Sequence, residues 1–191
     1  KENWLSFLRQ LKQRGLQTPR LICSDKCLGL VEALGEVFPE AQWQRCVVHW
    51  YRNVLRLVPR NKAKDVVAML KAIHAQEDRT AAMEKSVQVV EKLKTMRLKQ
   101  AADLVQSSVQ ETLEYMAFPR EHWLRIRTNN PLERIMREIR RRTRVVGNFP
   151  DGNSALMLVA ARLRHIAGSR WGSHKYLDME KINEMDKEQA A

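Results

Sequence analysis

Within the first fifty residues, two short runs have strand character. One is Leu21-Ile22-Cys23-Ser24, ending in Asp25; the other is the stretch from Gln42 to His49, with Val47 and Val48 and carrying Trp43. Helical spacing precedes and separates them, with Trp4, Leu5, Leu8 and Leu11 ahead of Gly15, and Leu30, Val31, Leu34 and Val37 ahead of Pro39. A helix-strand-helix-strand order belongs to an α/β sheet whose strands run parallel. Two short strands do not make a stable parallel sheet. The sequence therefore reads as starting in mid-domain, with further strands expected from earlier sequence or from a partner.

After Tyr51 the strand pattern stops. Val66, Val67, Leu70 and Ile73 predict one helix, Met83, Val87, Val90 and Leu93 a second, and Leu98, Ala101, Val105, Val109 and Leu113 a third. Phe118-Pro119 closes this block, and a turn at Phe149-Pro150-Asp151-Gly152 precedes a last apolar helix, capped by Ser154 and running to about Ala167. The expected organisation is α/β and helix-rich: core elements over 1–53, an all-helical insertion over 54–118, core helices over 119–175 and a charged, fraying tail over 176–191.

Charge narrows the partners. The 191 residues carry 34 Lys+Arg against 22 Asp+Glu, a formal +12. Nine Arg and three Glu between Arg120 and Arg144 supply half of that excess. Such concentration suits a phosphate backbone, whose condensed counterions are released on binding. Three cysteines, Cys23, Cys27 and Cys46, form an odd and sparse set that speaks against a disulfide framework. No signal peptide and no long apolar run is present, so the expectation is a cytoplasmic, nucleoid-associated protein with no membrane contact.

The densest chemistry lies in Arg125–Arg144, R-I-R-T-N-N-P-L-E-R-I-M-R-E-I-R-R-R-T-R. Asn130 as N-cap, Pro131 at the first helical position and Glu133 three residues after the cap predict a helix start. Leu132, Ile135, Met136 and Ile139 predict one apolar face, with Glu133 off that face among Arg137, Arg140 and Arg144. Taken singly, Glu133 suits a capping box or a pair with Arg137, and Asp25 suits a turn. Taken together, a strand-end Asp and a first-turn Glu could share divalent cations, since Mg²⁺ takes oxygen ligands. Cys46-Val47-Val48-His49 has C-x-x-H spacing, but its only nearby pair for zinc is Cys23 with Cys27, split between a strand and the residues beyond it, so no zinc is expected.

S-D-K-C-L-G-L (24–30), Q-R-C-V-V-H-W-Y-R-N (44–53), R-T-N-N-P-L-E-R-I-M-R-E-I-R-R-R-T-R-V-V-G-N-F-P (127–150), S-A-L-M-L-V (154–159) and R-W-G-S-H-K-Y-L-D-M (170–179) resemble the mutator-type transposases of bacterial insertion sequences. The resemblance implies a ribonuclease H-like core with an Asp-Asp-Glu triad and a helical insertion before the Glu. It implies that Asp25 is the second acid and Glu133 the third, that two Mg²⁺ (or Mn²⁺) ions serve the complete enzyme, and that Cys46 and His49 match the family's C-x-x-H signature, for which contact with DNA near the site is our expectation. Arg134, Arg137, Arg140, Arg141 and Arg144 are the expected phosphate contacts. The partners implied are element ends and target DNA, with a homo-oligomer as the working form.

Only Glu2 precedes Asp25 as an acid, so the first triad Asp is missing from this sequence. Lys26, directly after Asp25, is placed to compete with a metal for the carboxylate. The expectation is part of an enzyme that is inactive alone, and the alternative is a non-catalytic DNA-binding remnant.

Overall fold

The computed structural model describes the backbone of residues 1–190 and side chains as far as Lys187. Helix α1 (Glu2–Gln13) leads to strand β1 (Leu21–Ser24), helix α2 (Leu28–Val37) and strand β2 (Gln42–Arg45). The strands pair in parallel, Leu21 opposite Gln42 through Ser24 opposite Arg45. Among the described residues this is a two-stranded sheet. Leu5 and Leu8 of α1 and Leu30, Ala33, Leu34 and Val37 of α2 close with Phe38 into a small core, against which Ile22 and Trp43 pack.

The second strand is shorter than its apolar run predicts. It stops at Arg45, and α3 (Val47–Leu55) begins at once, so Val47, Val48 and His49 are helical. Backbone pairing explains the switch. The Cys46 N–H makes the last ladder bond, to the Ser24 carbonyl (2.8 Å), while the Val47 N–H turns to the Arg127 carbonyl (3.1 Å). Val47, Trp50 and Val54 then recur on one face of α3 and are buried.

That face joins a larger core built by α4 (Ala63–Ile73), α5 (Arg79–Thr95) and α6 (Lys99–Ser108), with Val66, Leu70, Ile73, Leu93 and Val105 all buried. The predicted third helix breaks at Ser108 into short 3-10 turns through Ala117. Their polar groups are satisfied by β2. Buried Gln44 donates through Nε2 to the carbonyls of Arg45 (2.7 Å) and Thr112 (2.9 Å), and its Oε1 accepts from the Tyr115 N–H (3.0 Å). Buried polar groups of this kind must be partnered, and here the pairing ties the sheet to the end of the helical block.

A short helix, α7 (Trp123–Ile126), leads to α8 (Asn130–Val146) and α9 (Gly152–Ala167). The N-cap of α8 is Asn129, one residue before the position predicted, and no side chain caps it, because the Asn129 amide is engaged by Cys46. The expected apolar face is split. Ile135 and Ile139 are half-buried, whereas Leu132 and Met136 are exposed, and no residue of α8 is buried. The two helices are pinned by Glu138, which pairs with Arg162 of α9 (2.5 Å) as well as with Arg141 (2.9 Å).

Asp151, not Ser154, caps α9, its carboxylate accepting from the Ser154 N–H (2.7 Å). The tail also departs from expectation: α10 (Met179–Ala190) is helical, with Ile182 buried and Asp186 paired to Arg20. The apolar Ile182 gives that charged segment a fold-back contact, and residue 191 lies outside the described residues.

Candidate functional site

Asp25 follows the last residue of β1, His49 sits in the first turn of α3, and Glu133 in the first turn of α8. These three side chains meet, although the whole helical block separates the first two from the third in sequence. His49 Nδ1 lies 2.5 Å from Asp25 Oδ1, and His49 Nε2 lies 3.0 Å from Glu133 Oε1. The imidazole thus stands between the two carboxylates. The ordinary roles weighed for Glu133 do not account for its side chain: it neither caps α8 nor pairs with Arg137, but points at His49.

Two backbone junctions enforce this meeting. The Ser24–Cys46 ladder bond sets the end of β1 beside the start of α3, and the Val47–Arg127 bond sets the approach to α8 beside the same turn. Cys46 reinforces the second junction, its thiol donating to Asn129 Oδ1 (3.1 Å). The C-x-x-H pair therefore anchors the T-N-N-P-L-E segment through its Cys and holds both acids through its His.

Partial burial pushes the Asp25 carboxyl up; His49 opposes the shift, while Cys46 and Glu133 add to it. The Cys46 thiol is drawn down to about 5 by the neighbouring Cys23 thiol, against its burial and with help from the Asn129 and His49 backbone groups. Its donation to Asn129 belongs to the protonated form. Cys23 is pushed up by the same pairing. Cys27, by contrast, is exposed at the start of α2.

The donor chemistry suits a divalent cation. Asp25, Cys46 and His49 each offer one ligand atom, all within 4.8 Å of one another. The buried His49 Nδ1 has no hydrogen bond of good geometry despite its close carboxylate. A buried polar atom left in that state is costly, and a cation taken by His49 Nδ1 together with Asp25 and Cys46 would relieve it. The carboxylates suit Mg²⁺ or Mn²⁺, whereas the nitrogen and sulfur donors favour softer ions.

Lys26 does not compete for Asp25. Its ammonium turns to Glu111 at the end of the helical block (2.5 Å), which also takes Arg45 (3.0 Å). The acidic partner satisfies the lysine on the far side of the strand end.

The arginines divide. Arg137 and Arg140 line a cleft of about 340 Å³ with Glu133, Arg52, Leu132 and Met136, and their side chains form no ion pair among the described residues. Arg144 is exposed in the last turn of α8. Arg141 spends its fork on Glu138, through Nε (3.1 Å) and Nη2 (2.9 Å). Arg141 first, and then Arg162, hold the Glu138 carboxyl down at about 2. Arg134 points elsewhere, stacked over the Trp171 ring at 4.2 Å. Arg52 also joins the site: its Nη1 lies 3.3 Å from His49 Nε2. The sequence signal was its i, i+3 spacing from His49, which shares a helix face only if 47–55 is helical.

Among the described residues, no helix is long and apolar enough to cross a membrane. The family model for the Mutator family of transposases matches residues 1–171. The chain is 36% identical over 184 residues to the transposase for insertion sequence element ISRM5 of Rhizobium meliloti, covering 96% of this chain and 46% of that protein. It is 40% identical over 165 residues to the transposase for IS406 of Burkholderia multivorans, covering 86% and 42%. It is 30% identical over 183 residues to the transposase for IS256 in transposon Tn4001 of Staphylococcus aureus, covering 94% and 46%. The chain spans less than half the length of these relatives, and its matched segment contains every element that brings Asp25, His49 and Glu133 together. The chain belongs to the Mutator family of transposases.

Proposed function

We propose that this chain carries part of the catalytic centre of a DNA transposase of the Asp-Asp-Glu type, built on a ribonuclease H-like core, which cuts and rejoins insertion-sequence DNA. The observation that carries the reading is the convergence of Asp25 and Glu133 on the two nitrogens of His49. Ordinary capping or turn acids have no reason to meet across a helical block. The relatives' names, transposases for insertion sequence elements, supply the substrate class.

In this reading Asp25 and Glu133 hold the divalent metal, Mg²⁺ or Mn²⁺. A cation held there would supply Lewis-acid activation of an attacking oxygen and charge stabilisation for the leaving one in phosphodiester cleavage and strand transfer. His49 keeps the two carboxylates aligned from opposite sides. Arg137, Arg140 and Arg144 hold phosphates along α8, with Arg52 near the acids. Arg134 and Arg141 contribute to the field of the helix rather than as free forks. A third carboxylate does not join the cluster among the described residues, and the reading assigns it to sequence outside these 191 residues. The working protein is expected to be a homo-oligomer engaging element ends and target.

The test is Mn²⁺ binding followed by electron paramagnetic resonance, with nicking of a terminal-repeat duplex measured alongside. The chain is expected to bind Mn²⁺ at about millimolar, as sites with few charged ligands do, and to lose binding in Asp25→Asn and Glu133→Gln. It is not expected to nick DNA alone. Unchanged Mn²⁺ affinity in both variants overturns the metal assignment, and DNA binding without metal binding identifies the remnant alternative. Metal-dependent nicking by these residues alone removes the need for a third acid elsewhere.

A further inference from the structure

On the side of α8 away from His49, a cavity of about 430 Å³ opens between the start of α8, the end of α9 and the segment after it. Its size falls within the range of about 300–1,000 Å³ usual for ligand sites. Two cation-aromatic stacks line it: Arg134 over Trp171 (4.2 Å to the ring centroid) and Arg125 over Tyr176 (5.4 Å). Ile135 and Ile166 supply apolar wall, and Thr128 and Asn130 supply polar edge. Among the described residues, no acidic one lines it.

The Trp171 wall is held in place. Gly172 packs so closely on the end of α9 that a Cβ there would sit 2.4 Å from the Ile166 carbonyl oxygen and 2.5 Å from that of Ala167. Only glycine permits that approach, which places the Trp171 backbone at the end of α9, where its ring stacks with Arg134. A rigid ring costs little entropy to stack on, which is the property of a recognition platform.

The occupant must be flat, able to stack on aromatic and guanidinium planes, and attached to negative charge. Resting on the reading of this chain as a DNA transposase, we propose that the cavity receives one unpaired nucleobase of the DNA strand whose phosphates lie along α8. Bases stack on aromatic rings and arginine planes irrespective of sequence. Glu133 and Arg134 are adjacent on α8 and face different ways, toward His49 and toward Trp171. A strand whose phosphate reaches the acidic cluster can therefore place a neighbouring base in the pocket. An apolar peptide would gain nothing from the two arginine charges, and a base pair held in duplex presents no free face.

The test uses fluorescence anisotropy on a blunt duplex and on the same duplex with a short single-stranded overhang. The overhang carries one 5-iodouracil for photo-crosslinking, with the crosslinked peptide identified by mass spectrometry. The overhang is expected to bind more tightly than the blunt duplex. Trp171→Ala should weaken overhang binding roughly tenfold, within the usual worth of one base stack, and leave blunt duplex binding unchanged. Trp171→Phe should retain most of the preference, and the crosslink should fall on Trp171 or Tyr176. Circular dichroism melting controls for folding, and Tyr176→Ala, at an exposed ring, provides a second variant expected to reduce the preference. If the overhang preference survives Trp171→Ala and Tyr176→Ala, or the crosslinks map outside 125–176, the pocket assignment is wrong while DNA binding stands. If neither DNA binds at low salt, the transposase reading fails with it.

Discussion

Gln44→Ala tests how the sheet and the helical block are joined. Gln44 is fully buried, and its amide makes three hydrogen bonds, to the carbonyls of Arg45 and Thr112 and from the Tyr115 N–H. Truncation leaves the Tyr115 N–H and the Thr112 carbonyl without that partner. An orphaned buried donor costs about 1–3 kcal/mol, and the vacated side-chain volume adds a cavity cost. A loss of about 3–5 kcal/mol is expected, which at roughly 2–4 °C per kcal/mol for a chain of this size lowers Tm by about 6–20 °C. Urea denaturation followed by circular dichroism measures it. Gln44→Met, which restores volume but no hydrogen bonds, should recover less than half. Because β2 leads into α3 after one residue, Mn²⁺ affinity should fall in the same variants. A loss below about 1 kcal/mol for Gln44→Ala, or full rescue by Met, would refute the reasoning that polar satisfaction joins the two parts.

Glu133→Gln removes a partly exposed contact with His49, a class of pair worth about 0–1 kcal/mol, so the melting temperature should move by no more than about 2–4 °C while Mn²⁺ binding is lost; a large stability loss with metal binding kept would make Glu133 structural. Asp25→Asn addresses pH. Folding raises the Asp25 carboxyl, so the folded chain holds that proton to higher pH than the unfolded chain. The resulting stability is present below the unfolded carboxylate pKa and lost as pH rises through the folded value; metal-free Asp25→Asn should therefore melt higher than wild type at pH 7 and converge with it in acid, and a lower Tm at pH 7 contradicts this. Arg137→Glu with Arg140→Glu should weaken duplex binding and flatten its salt dependence by about two phosphates, whereas Arg141→Ala should change little because Glu138 already occupies its fork; equal effects in anisotropy titrations would remove the distinction.

The positions of Asp25 at a strand end and Glu133 in a first helical turn were legible in sequence; that both reach His49 was not. The α/β start and the helical block were legible too, because a short continuous apolar run marks a buried strand and a 3.6 period marks a helix. Where the strand turns into α3 was not. Val47 and Val48 favour a strand locally, but the Arg127 carbonyl takes the Val47 N–H, and that acceptor lies far along the chain. His49 and Arg52 reach the site only through this switch. Lys26 is charged wherever it sits, yet only the fold reveals Glu111 within its reach. The arginines of α8 look equivalent in one dimension. Glu138 and Trp171 separate them in three, since a guanidinium already forked on a carboxylate or stacked on a ring is no longer free for phosphate. Residue type and spacing determined which groups could act here; contacts between residues distant in sequence decided which of them share a site.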